Sequence, residues 1–128
     1  MIVYDQRVAD YVAAKCGVEA FKPPFAAIGV EKDGAIVAGS IINNWTGYDC
    51  EVSLASDKGC LSLPLLRAMG KYIQNQLGCI RATFVTEQDI VVSIVKRLGG
   101  EIEGYKRDYF GPGRPAILVG IVKDDWRL

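Results

Sequence analysis

The chain is 128 residues long, enough for one domain with a core of useful size. Half of its residues are hydrophobic and 23% are charged, and its 15 basic residues balance its 15 acidic ones, which argues against a nucleic-acid binder. No apolar run is long enough to span a bilayer, and MIVYDQRVAD lacks the basic-then-apolar pattern of a signal peptide, so a cytoplasmic protein is expected.

In DQRVADYVAAKC, residues 5–16, Val8, Tyr11, Val12 and Lys15 recur at helical spacing and Gly17 supplies a stop. The linker VEAFKPP follows, its two prolines favouring extended chain. FAAIGVEKDGAIVAGSIINNW then reads as two apolar strands around Asp33-Gly34, a hairpin signal. Thr46-Gly47 marks a second turn and YDCEVSLA a third strand, which completes an antiparallel meander. After the polar loop SDKGCLS, Ser62 is an N-cap with Pro64 in the first turn. Leu65, Leu66, Met69, Tyr72, Ile73 and Leu77 trace the helix as far as Gly78. CIRATFV alternates as a strand. Thr86-Glu87-Gln88-Asp89 resembles a capping box, and it opens a helix with Ile90, Val91, Ile94, Val95 and Leu98 on one face. Gly99-Gly100 ends that helix, and EIEGYKRDYF and AILVGIV close the chain as strands joined by GPGRP. A strand-helix-strand crossover beside a meander demands both parallel and antiparallel pairing, so the expected fold is a mixed α/β sheet flanked by helices.

The order of elements, together with RLGGEIEGYKRDY, resembles the GNAT N-acetyltransferases over nearly the whole chain, which reads as a single domain, 1–128. In that family a Leu-Gly after a capped helix is followed by Glu-Gly and a Tyr-rich strand. Asn44-Trp45 and Asp125-Trp126 add a similarity to small bacterial and phage-encoded GNAT-like proteins. The resemblance implies acetyl-CoA in a cleft between the third meander strand, at Leu54 and Ala55, and the CIRATFV strand. Its pyrophosphate would lie on the backbone amides of Lys58, Gly59, Cys60, Leu61 and Ser62, because a helix N-terminus presents unpaired N–H groups and a positive dipole end. The chain departs from the family at three points. Its phosphate loop has only Gly59, Gln88 or Asp89 stands where many members carry an Asn, and Val95 stands where a Tyr often serves as general acid.

Acetyl transfer to an amine needs a base for the amine, an acid for the leaving thiolate and a polarised thioester carbonyl. The absence of histidine leaves carboxylate, Tyr, Cys, Lys or water for proton transfer and removes the commonest metal ligand; no metal is expected. Alternation puts Asp49, Glu51 and Ser53 on one face of the third meander strand. Glu51 is either the general base or the partner of a nearby arginine. Tyr105 and Tyr109, read on one strand face, are candidate acids or aromatic packing. Asn44, Trp45 and Tyr48 are candidates for shaping an acceptor pocket or a partner surface. Cys16, Cys50, Cys60 and Cys79 form no CxxC pair and are expected as reduced thiols. The expected activity is acetylation of an amine on a small molecule or protein. The alternatives are a GNAT-like binding module without catalysis and, third, an acyltransferase acting on nucleic acid. Oligomeric state is open, a homodimer included.

Overall fold

The structure, a computed structural model, describes residues 1–127. Its strands are β1 (Ile2–Val3), β2 (Phe25–Lys32), β3 (Ala35–Asn43), β4 (Glu51–Ser56), β5 (Arg81–Thr86), β6 (Glu101–Lys106) and β7 (Ala116–Val122). Its helices are α1 (Gln6–Cys16), α2 (Leu63–Lys71), which runs on into a π-helical turn at Tyr72–Gln76, and α3 (Asp89–Arg97). A 3-10 turn, Lys123–Asp125, follows β7. One 7-stranded sheet has the order β1-β2-β3-β4-β5-β7-β6. Neighbours are antiparallel except β4 and β5, which run parallel. The mixed sheet expected from the crossover is therefore present.

Local chemistry explains most boundaries. Asp5 caps α1 by accepting the Arg7 amide at 2.9 Å. Asp33 and Gly34 take φ of 52° and 83° in a two-residue turn between the paired Lys32 and Ala35, the left-handed pair that matches strand twist. Ser62 caps α2, accepting from the Leu65 amide at 3.4 Å. α3 ends in a Schellman arrangement, the Gly100 amide on the Val95 carbonyl and the Gly99 amide on the Lys96 carbonyl.

Three expectations need correction. The third meander strand starts at Glu51 rather than Tyr48, because the preceding residues form a turn closed by the Thr46 amide on the Asp49 carbonyl. Thr86-Glu87-Gln88-Asp89 forms no capping box. Thr86 stays in β5 and its hydroxyl accepts the Gln88 amide at 3.0 Å, so Gln88 occupies the N-cap position without a side-chain cap. β6 stops at Lys106, since Asp108 turns to φ 57° and its carboxylate takes the Gly113 amide. The strand β1 has only two residues, too few for a pattern to announce it.

The two faces of the sheet are covered unequally. On one, Val52, Leu54, Ala82, Phe84, Val119 and Ile121 pack with Leu65 and Met69 from α2, Ile73 from the π-helical turn and Val91 and Val95 from α3. On the other, among the described residues, α1 is the one helix docked, its Val8, Ala9 and Val12 clustering with Ile41 and Ala55. Among the described residues no helix covers the part of that face formed by β5, β7 and the start of β4, where Glu51, Arg81 and Thr83 stand beside Val85 and Leu118.

Candidate active site

The parallel pairing of β4 and β5 covers only Glu51 with Thr83 and Val52 with Phe84, although both strands run further. Past Val52 they part. The Cys50 carbonyl accepts from the Thr83 amide, so strand alternation turns the N–H and C=O of Leu54 toward β5 as well. There the Leu54 carbonyl meets the side chain of Gln88, whose Nε2 lies 3.5 Å away, at the long limit of a hydrogen bond. The gap is thus bounded by two strand backbones with a replaceable amide across its mouth.

The loop between β4 and α2 flanks this gap. Gly59 takes φ 77°, and Ser62 and Leu63 lead into the helix. The Cys60 amide is committed to the Asp57 carbonyl at 3.0 Å, and Pro64 offers no N–H. The amides of Lys58, Gly59, Leu61 and Ser62 are therefore the ones this loop can offer an anion. Asp57 sits behind the loop, tied to the Tyr11 hydroxyl at 2.7 Å and to Lys15 at 3.0 Å, and the Tyr11 bond is the first cause of its lowered pKa. These contacts join the loop to α1.

On the open half-face, Glu51 accepts from Asn44 Nδ2 at 2.9 Å. The nearby arginine goes elsewhere. Arg81 lies 3.3 Å from Asp49 and is bonded to both carboxylate oxygens of Glu103, and Glu103 is the first cause of its raised pKa. Thr83 Oγ1 lies 3.1 Å from each Asp49 oxygen. Glu103 belongs to an irregularity in the β6–β7 register and reaches Arg81 across Gly120, where any Cβ would stand 2.2 Å from its carboxylate. Sequence reasoning missed Arg81, Thr83 and Glu103. Alternation alone could have placed Arg81 and Thr83 on one face, but Glu103 is brought in by the strand order β5-β7-β6.

The loop after β6 folds toward this face. Arg114 is bonded to Glu87 at the start of α3, its Nε 3.2 Å from Oε2, and its guanidinium lies 3.4 Å from where a Cβ on Gly17 would be. The loop thereby spans from the α1 terminus to the mouth of the gap. It carries Tyr109, which packs edge-on against Phe110; burial first, then Glu51 and Cys16, raise its pKa. Tyr105 pairs with Ile117 on the α2/α3 face, so the two tyrosines do not share a face, and Tyr109 is the one on the side of the Glu51 charge. The acceptor candidates diverge in the same way. Asn44 holds Glu51, whereas the Trp45 indole is 59% exposed and donates to the Leu77 carbonyl at 3.2 Å beyond α2. The Tyr48 side chain is 73% exposed. Ala55 is buried beneath α1.

By sequence, no family description matches the chain and no curated protein is similar to it. Solved structures are. An aminoglycoside 6'-N-acetyltransferase complexed with coenzyme A superimposes with a TM-score of 0.69 at 13% identity, over 95% of this chain and 96% of that one. A spermidine N-acetyltransferase from Vibrio cholerae, in complex with CoA and spermine, does so with a TM-score of 0.69 at 10% identity, over 98% and 96%. The fold is that of the GNAT N-acetyltransferases. A structure described as "Probable acetyltransferase" is similar at a TM-score of 0.65 and 17% identity over 80% of this chain, but the chain spans only 63% of it. At these identities the likeness is one of architecture.

Proposed function

We propose that the chain binds acetyl-CoA in the gap between β4 and β5 and transfers the acetyl group to an amine. The observation that carries this reading is the early end of the parallel ladder, which leaves the Leu54 backbone facing an open gap beside a loop of uncommitted amides. Those of Lys58, Gly59, Leu61 and Ser62, with the Lys58 charge, would hold the pyrophosphate. The Leu54 N–H would polarise the thioester carbonyl. Gln88 would exchange its long bond to Leu54 for one to the cofactor. Acetyl-CoA itself supplies the activated acyl group and the leaving thiolate.

Glu51, held by Asn44, takes the proton of the acceptor amine directly or through a water. Tyr109, whose raised pKa keeps its hydroxyl protonated, returns one to the thiolate. The open half-face carries Asp49, Glu51, Glu101 and Glu103 against Arg81 and Lys106, four carboxylates to two cations. That excess suits a cationic amine, and the similar folds include proteins described as acting on spermidine and on aminoglycosides. The excess runs against a nucleic-acid acceptor.

One observation favours a second reading, a binding module without turnover. Val95, where the family resemblance puts the acid, is fully buried in the core. Calorimetric titration with acetyl-CoA, followed by an assay for free thiol with polyamine acceptors, separates the two. Binding with turnover that Glu51→Gln lowers about a hundredfold, at unchanged cofactor affinity, is the expected result. Binding without turnover selects the module, and no binding at millimolar cofactor removes the enzyme reading.

A further inference from the structure

We infer that β6 is the dimerisation edge of this protein, pairing antiparallel with β6 of a second copy about a two-fold axis at Gly104. β6 ends the sheet, and five of its six residues are exposed, Ile102 at 40% and Tyr105 at 63%. An unpaired edge with exposed apolar side chains is a template for strand addition.

What selects a second copy as the occupant is the pattern that the β6–β7 register imposes. Glu101, Ile102, Gly104, Tyr105 and Lys106 lie opposite Gly120, Val119, Leu118, Ile117 and Ala116, so Glu103 is the extra residue of a bulge. Counted in steps of the ladder, the strand reads Glu, Ile, Gly, Tyr, Lys. Turned about its centre, it sets Glu101 opposite Lys106 and Ile102 opposite Tyr105, each pair twice. The faces agree as well. Glu101 and Lys106 point to the open half-face, while Ile102 and Tyr105 point to the side of α3. Without the bulge, this register would set side chains of opposite faces against one another.

The centre is clear for close approach. Gly104 takes no left-handed φ, and a Cβ there would meet nothing within 4 Å of the same chain. Glu103, the one side chain that could crowd the axis, is drawn off across Gly120 to Arg81. The bulge that commonly guards an edge here makes it self-complementary.

Sedimentation equilibrium of the full chain tests this, with circular dichroism to show that each variant is folded. Twice the 14.0 kDa chain mass is expected. Glu101→Lys and Lys106→Glu each set like charges opposite one another at two places and should each raise the dimer dissociation constant about tenfold. The double variant Glu101→Lys/Lys106→Glu restores opposite signs and should recover the wild-type constant. A monomer at high micromolar concentration overturns the proposal. So does a dimer indifferent to the single reversals, or one that the double reversal fails to rescue.

Discussion

Glu51 and Tyr109 illustrate how far single residues can be read. The polar face of Asp49, Glu51 and Ser53 is visible in the sequence, because alternation along a strand is local. The partner of Glu51 is not. Asn44 reaches it across the β3–β4 turn, while Arg81 is claimed by Asp49 and Glu103. EIEGYKRDYF reads as strand through Tyr109, and only the turn at Asp108 shows that Tyr109 belongs to the loop that folds toward the site. Burial and the Glu51 charge hold its pKa above the ordinary 10.0, so the acid form persists as pH rises through that value. The expected pH–rate profile for kcat therefore stays level past pH 10 before it declines. Tyr109→Phe should lower kcat about a hundredfold and remove that limb. A Phe variant with the wild-type profile would take Tyr109 out of the mechanism.

At the scale of elements, the docking of α1 rests on two glycines. Gly29 and Gly39 are directly paired on β2 and β3, and a Cβ on either would stand 2.6 Å and 2.8 Å from the Val8 methyls. α1 lies against bare backbone there, and its position leaves the β5–β7 part of the same face uncovered. Gly39→Val should lift α1 and cost about 3 kcal/mol, measured by denaturant unfolding. A loss below a few tenths of that would show that α1 has room to shift. The periodicity of α1, α2 and α3 was legible because each buries one stripe. The start of α3 was not, since the Thr86 hydroxyl had two local donors to choose from and tertiary pairing of β5 kept Thr86 in the strand.

Across the whole molecule, the C-terminal segment closes the fold over the end of α3. The Arg127 amide donates to the Leu98 carbonyl at 2.8 Å, and Trp126 packs on Gly70 of α2 with its ring 6.3 Å from Phe84. Gly99 lies beneath this segment at φ 113°, and a Cβ there would stand 1.9 Å from the Asp125 carbonyl oxygen. Gly99→Ala should therefore cost about 3 kcal/mol or more, from backbone strain together with displacement of the segment. A thermal unfolding midpoint unchanged by this substitution would mean that the segment yields without loss. The pair Gly99-Gly100 is thus more than a helix stop. Gly100 also has the Val95 side chain 2.7 Å from where its Cβ would be, which accounts for the missing side chain at that position.

The sequence by itself determined the order of elements, their buried stripes and the need for one parallel pair, because helix caps, two-residue turns and hydrophobic periods are written in neighbouring residues. It also determined that none of these 128 residues supplies an imidazole. Only the tertiary structure decided where the parallel ladder ends, which of the two tyrosines lies on the side of the Glu51 charge and which carboxylates share Arg81. Those outcomes depend on strand order, on a bulge and on glycines that let distant segments pass close together, and none of these leaves a periodic mark along the chain.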